Sequence, residues 1–327
     1  MKRYQIAGIG NAIVDVIATV DDLFLDHMGI RKGIMQLVER ERAEVLYGAM
    51  KDRAEASGGS VANTLAGAGR MGLRAAFVGR VNDDALGRFY ATDTGADFVN
   101  PPVAQGELPT SRSMIFVTPD GERSMNTYLG ISAELGPEDV DESVMAESEI
   151  VFLEGYLFDK DKGKEAFLKA ARACRSAGGR AGIALSDPFC VDRHRSDFRA
   201  LVAQDMDYVI GNEQEWVSLY QANDLDDALA QAMRDCPLVV CTRSGDPVTI
   251  MSQGLRTEVP VTRVTPVDAT GAGDQFAAGF LYGLATGRDM ATAGQMGVIA
   301  ATEVIGHIGA RPQSDLRAAF RRAGLVA

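Results

Sequence analysis

The sequence predicts an α/β fold built on a largely parallel sheet, and three observations carry that reading. Short apolar runs rich in Val, Ile and Phe alternate with longer segments of helical period along the 327 residues, the pattern of strands joined by crossover helices. Most runs end in glycine or polar residues, which gather along one edge when the strands are parallel. Two stretches, 12–40 and 103–130, break the rhythm with short alternating runs and Gly and Pro punctuation, and read as strands of a small inserted sheet.

The first strand is Tyr4–Ile9, leaving through Gly10-Asn11; Asn11 and Asp15 interrupt the apolar run that follows Met1-Lys2-Arg3, so the start reads as a strand and its exit loop. Gly58-Gly59-Ser60-Val61-Ala62-Asn63 opens a small-residue helix over 60–71. Within and after it, Gly67-Ala68-Gly69-Arg70-Met71-Gly72 matches GxGxxG, but a dinucleotide loop needs a strand before it and a helix after, so close helix packing explains the glycines. A strand at 75–79 and helices at 84–92 and 137–146 follow. Then come strands at 150–154, 180–185, 208–210, 238–242 and 248–251, with helices at 164–177, 213–220 and 226–234 and further ones after 272. The expected division is a main domain of 1–11, 41–102 and 131–327 and a smaller β unit of 12–40 and 103–130. That unit reads either as a lid over a site or as a sheet extension or dimer contact.

Composition narrows the function. Apolar residues at 46% and charged residues at 24% suit a globular domain, and no run of about 18 apolar residues is present to span a membrane. A net charge of −12 argues against a nucleic-acid partner and requires any anionic ligand to be held by local devices such as helix N-termini or metal ions. Four cysteines without CxxC spacing and three scattered histidines signal neither a zinc site nor a disulfide framework, and buried thiols in a reducing cytoplasm are expected.

The strongest local signal is Val267-Asp268-Ala269-Thr270-Gly271-Ala272-Gly273-Asp274-Gln275-Phe276, leading into a helix. Gly271 and Gly273 let backbone amides approach a ligand at a helix start whose dipole favours negative charge. Asp274 in the first turn reads either as a base for a hydroxyl proton or as a carboxylate that merely complements the dipole. Asn63 offers a donor and an acceptor to vicinal hydroxyls, and Asp15, with Asn11 before it, could accept from two. GxxxxGK[ST], HExxH and GxSxG are all absent, so any phosphate is held without a P-loop.

These segments resemble the ribokinase-like, or PfkB-type, family of carbohydrate and nucleoside kinases, with Gly58–Gly79 similar to its N-terminal signature and Asp268–Asp274 to its C-terminal one. The resemblance implies a three-layer α/β/α domain with a small β lid, and ATP-dependent phosphorylation of a primary alcohol with Mg2+. It implies that Asp274 is the catalytic base and that the amides of Gly271, Ala272 and Gly273 form an anion hole. Asn11, Asp15, Gly59, Ser60 and Asn63 match acceptor-binding positions, while Asn212, Thr242, Arg243 and Gly245 match the ATP side. Glu215 matches a position that organises Mg2+ through water. Asp268 and Thr270, with Gly309-Ala310-Arg311, resemble a site for a monovalent cation such as K+. Arg243 stands where Leu or Lys is commoner, and both a phosphate contact and a solvent-facing role are open.

Lys32–Leu37 and Gly121–Thr127 are more similar to the adenosine-kinase branch, in which an arginine near 123 reaches the site from the lid. Arg123 is therefore expected to stabilise transferred charge. The acceptor expected is adenosine, giving AMP. The alternatives are a sugar or a sugar phosphate, the latter served by Arg80 or Arg112, and a non-catalytic sensor. A monomer and a homodimer through the lid are both open.

Overall fold

Alternation along the central strands fixes the layers, because successive strand residues face opposite sides of a sheet. Ile150, Phe152, Tyr208 and Val240 join one apolar core, while their neighbours Val151, Leu153, Val209 and Val239 join another. Both faces are thus covered, as a parallel sheet requires. In the computed structural model, which describes residues 2–100 and 108–326, the first core packs helices Ser60–Arg70, Ala272–Ala285 and Met290–Val304. The second packs Asp161–Ser176, Pro188–Asp205, Glu213–Tyr220 and Leu225–Asp235.

The strands in chain order are β1 (Tyr4–Ile9), β2 (Ile13–Thr19), β3 (Met35–Leu37), β4 (Ala54–Gly58), β5 (Ala75–Val78), β6 (Asp97–Phe98) and β7 (Ser111–Val117). They continue with β8 (Arg123–Tyr128), β9 (Ser148–Glu154), β10 (Arg180–Ala184), β11 (Tyr208–Asn212), β12 (Leu238–Arg243), β13 (Asp246–Ser252) and β14 (Leu255–Val259). The large sheet runs β14-β13-β12-β11-β10-β9-β1-β5-β6, parallel except for the antiparallel pairs β12–β13 and β13–β14. The chain leaves β1 toward β5 on one side and returns to β9 on the other. The exits of β1 and β9 therefore flank a topological switch point, where ligands of open α/β sheets bind.

The second sheet runs β3-β8-β7-β2-β4. Its strand β4 falls in the stretch assigned to the main domain from sequence, so the small sheet reaches beyond 12–40 and 103–130; residues 101–107 of that expected division lie outside the described residues. The 12–40 stretch also holds a helix, Asp22–Met28, capped by Asp21 and ended by Gly29 in the left-handed region. The helix expected over 137–146 is a 3-10 turn at Pro137–Asp139 followed by Glu142–Ala146. Pro188–Asp205, absent from the expected helices, is helical on either side of a kink at His194, with Asp187 as its cap and Pro188 in its first position.

Of the GxGxxG glycines, Gly67 and Gly69 lie at close approaches within the helix, while Gly72 turns the chain after it at φ 96°. A Cβ on Gly67 would lie 2.1 Å from Gln275 Oε1, and one on Gly69 would lie 2.6 Å from the Gly95 carbonyl. Among the described residues no helix is long and apolar enough to cross a membrane, and the four cysteines are free and buried.

Candidate active site

Two helix N-termini meet at the switch point, and between them they build a clamp around one carboxylate. Ser60 begins the first helix after Gly59, whose φ of 101° and whose missing Cβ, which would lie 2.1 Å from the Asn11 carbonyl, admit only glycine. Ser60 Oγ donates to Asp274 Oδ1 at 2.7 Å, and Asn63 Nδ2, one turn on, donates to Asp274 Oδ2 at 3.1 Å. Thr64 Oγ1 donates to the Asp274 carbonyl at 3.1 Å. Burial pushes the Asp274 carboxyl up to about 6, against the lowering effect of the Ser60 and Asn63 hydrogen bonds. The group is therefore ionised at neutral pH yet basic enough to accept a proton.

The second helix starts without a side-chain cap. Gly271, at φ 79°, stands at its N-cap, and the backbone of Ala310 lies 2.6 Å from where a Cβ would sit. The Ala272 amide donates to the Ala269 carbonyl at 3.3 Å, whereas those of Gly271 and Gly273 donate to none of the described residues. A Cβ on Gly273 would meet nothing within 4 Å. This is an open anion site with the Asp274 carboxylate one residue away.

A cavity of about 190 Å³ runs from Ser60, Gly273 and Asp274 to Asn212, Glu215 and Thr242. At its far end the groups expected to hold nucleotide and metal are bound to each other. Asn212 Oδ1 accepts from the Glu215 amide at 2.9 Å, and the Glu215 carboxylate accepts from the Asn212 amide and Nδ2, each at 2.8 Å. This is a capping box. Burial raises the Glu215 carboxyl to about 7, the Asn212 amide opposes that shift, and Asp187 adds to it. Glu215 lines the cavity with a donor already on each oxygen, which fits a contact to metal-bound water rather than direct ligation. Arg243 Nε is paired with Glu213 at 3.0 Å; Thr242 and Arg243 end β12, and Ser244-Gly245 turn the chain into β13.

On the acceptor side, Asp15 projects from β2 against Gly58, where a Cβ would lie 2.7 Å from its Oδ2. Its carboxylate accepts no hydrogen bond from the described residues, so both oxygens are available. Burial raises it to about 6, Arg123 and Arg311 pull it down, and the charge of Asp274 pushes it up. Asn11, expected to touch the acceptor, is buried and bonded to protein groups. Its amide and Nδ2 donate to Glu154 Oε1 at 3.1 and 2.6 Å, and its Oδ1 accepts from Ser132.

Arg123 and the cation residues are brought together in an arrangement the sequence did not suggest. Arg123 Nη1 is ion-paired with Asp268 Oδ2, which also accepts from the Gly309 amide at 2.9 Å, while Asp268 Oδ1 accepts from the Thr270 amide at 3.0 Å. Burial alone would raise the Asp268 carboxyl; the Gly309 and Thr270 hydrogen bonds and the Arg123 charge outweigh it, and the group is lowered. With donors on both oxygens, Asp268 and Thr270 do not fit a bound monovalent cation. The guanidinium expected at the transferred phosphoryl group is on Asp268 instead.

Three further residues support the clamp. Glu154, 1% exposed, accepts from the Val61 amide at 3.0 Å as well as from Asn11, and so ties the start of the Ser60 helix to the exit of β1. Arg311 Nε donates to Asn63 Oδ1 at 3.3 Å, which turns the Asn63 amide so that Nδ2 faces Asp274. Gln275 Nε2 donates to the carbonyls of Asn63 and Ala310 at 2.9 and 3.0 Å. In the sequence Glu154 ends an expected strand, Gln275 lies in the Val267–Phe276 run and Arg311 ends the Gly309-Ala310-Arg311 stretch, but none of them signals this supporting role.

Residues 9–316 match the model of the pfkB family carbohydrate kinases. The chain belongs to the PfkB family. It is thus a phosphotransferase that takes an alcohol group as acceptor, and its α/β layers with a second, smaller sheet are those of ribokinase-like PfkB structures. A probable sugar kinase from Rhizobium etli CFN 42 superposes with a TM-score of 0.90 at 44% identity, covering 100% of both chains. The adenosine kinase from Sinorhizobium meliloti gives 0.89 at 46% identity, covering 98% of this chain and 99% of that one. A 5-dehydro-2-deoxygluconokinase of Halalkalibacterium halodurans is 28% identical over 263 residues, 76% of this PfkB chain and 79% of its own length.

Proposed function

We propose that this PfkB kinase transfers the γ-phosphoryl group of ATP to a primary hydroxyl of a neutral nucleoside, adenosine first, giving AMP. The observation that carries the mechanism is the clamp on Asp274 beside the open amides of Gly271 and Gly273. Asp15 accepts from the acceptor's hydroxyls and holds it with its primary alcohol toward Asp274. Asp274 removes the hydroxyl proton as that oxygen attacks the γ-phosphorus, and the first-turn amides and the helix dipole meet the charge on the transferring group. Magnesium, when bound with ATP, neutralises phosphate charge; Glu215 is placed to orient its waters. The second sheet acts as a lid that keeps water from competing as acceptor.

Neutrality of the acceptor is supported by what the nearby cations already hold. Arg311 contacts Asn63 and the Asp93 carbonyl, and Arg123 contacts Asp268. Arg80 is paired with Asp139 and Arg112 with Glu44, so the two arginines expected to serve a sugar phosphate are engaged as well. A sugar acid or sugar phosphate would have to compete with these partners for a counter-charge, except at Arg311, whose buried Nη2 has no hydrogen-bond partner among the described residues. The similarity to the Sinorhizobium meliloti adenosine kinase points the same way.

The test is an acceptor-dependent ADP-release screen over adenosine, other nucleosides, ribose, fructose, their phosphates and 5-dehydro-2-deoxygluconate. We expect adenosine to lead in kcat/KM by about 10²-fold, the discrimination that matched buried polar groups supply. The same margin for a sugar, sugar acid or sugar phosphate would overturn the acceptor and leave the kinase assignment standing.

A further inference from the structure

Asp268 anchors the loop that ends in the open anion site. Through its two oxygens it gathers the Thr270 amide, the Gly309 amide and one charged group, the guanidinium of Arg123. The pair is well shielded, with side chains 12% and 6% exposed, so the carboxylate depends on that cation. Arg123 lies 145 residues away in sequence, at the start of β8 in the second sheet, and its Nη1 also reaches Thr270 Oγ1 at 3.4 Å. No more than three residues separate Asp268 from the helix start at Ala272. Whatever neutralises Asp268 therefore also sets the path of the anion-hole backbone.

We propose that Arg123 is a positioning residue that takes the place of a monovalent cation: its guanidinium neutralises Asp268, holds the 268–271 loop in its anion-binding shape, and makes phosphoryl transfer independent of potassium. A metal ion at this point would need oxygen atoms with lone pairs turned toward it. Asp268 instead presents oxygens already facing three N–H donors, and donors repel a cation. Because Arg123 belongs to the second sheet, the same contact couples the position of that sheet to the order of the anion hole.

The experiment compares KCl, NaCl and choline chloride at matched ionic strength, with two readouts. One is the thermal unfolding midpoint, which needs no acceptor and so stays interpretable if the adenosine reading fails; the other is ADP formation with the acceptor that the screen selects. Wild type should show the same midpoint and rate in all three salts. Arg123→Ala should lose activity and then gain about tenfold in KCl over choline chloride, with a raised midpoint in KCl, as expected for a ligand coupled to a second site. Activation or stabilisation of the wild type by KCl would overturn the proposal, and so would an Arg123→Ala variant that matches wild type in every salt. If Arg123→Ala fails to fold, the wild-type arm still decides, and Arg123→Lys, which keeps a positive charge on the loop, should stay insensitive to KCl.

Discussion

Two helix starts face the same cavity, and they solve the same problem in opposite ways. The Glu213–Tyr220 helix closes its first turn with its own side chains, Asn212 and Glu215 each accepting from and donating to the other's end of the box. The Ala272–Ala285 helix has glycine at its N-cap, no side-chain cap, and open space beside Gly273. Glycine in place of a side-chain cap costs about a few tenths of a kcal/mol, so the second helix leaves its first-turn amides open at little loss of stability. A motif that places polar residues at a helix start does not by itself mark a ligand site. The useful question is whether the amides already have partners.

The largest effect belongs to Asp274. Asp274→Asn should bind ATP and acceptor and keep its unfolding midpoint while turnover falls by about 10³-fold, the usual scale for a lost general base. Near-wild-type turnover by that variant would sink the assignment. Next comes Asp15→Ala, which should raise the acceptor KM by about 10²-fold through lost hydrogen bonds to a charged group, with the ATP KM little changed.

The glycines sharpen the comparison. Gly273→Ala should fold as well as wild type, because helix interiors favour Ala over Gly by about 0.5–1 kcal/mol, yet lose about tenfold in kcat as its methyl enters the anion site. Gly271→Ala should instead destabilise by at least about 2 kcal/mol, since it meets both the left-handed φ and the Ala310 backbone. Smallest should be Glu215→Gln, which weakens the box by about 1 kcal/mol and alters turnover far less than the Asp274 change. A collapse of turnover there as deep as in Asp274→Asn would erase the distinction between the two helix starts.

What could be read from the sequence was what is local in it. The central strands, the glycine at φ 101° and the run from Asp268 to Asp274 announce themselves because turn geometry and helix starts are short-range. Pro188–Asp205 was available too, through Asp187-Pro188. By contrast, β4 is Ala-Glu-Ala-Ser-Gly, with no β-branched residue, and only its pairing with β2 makes it a strand. The Arg123–Asp268 and Asn11–Glu154 contacts join residues 145 and 143 positions apart. Such pairings follow from topology, and that is why the sequence did not reveal that Asn11 is bound to Glu154 and Arg123 to Asp268.

The central claim is that an ionised Asp274, held by Ser60 and Asn63, takes the acceptor's proton, and the pH dependence of kcat/KM tests it most directly. The Asp274 carboxyl is raised to about 6 by burial, so the base form is lost as pH falls through that value, and wild-type kcat/KM should drop on an acid limb near pH 6. The Ser60 hydrogen bond lowers the group, so Ser60→Ala should move the limb to higher pH. A limb that stays fixed in Ser60→Ala, or a wild-type profile flat from pH 5 to 7, would contradict the account.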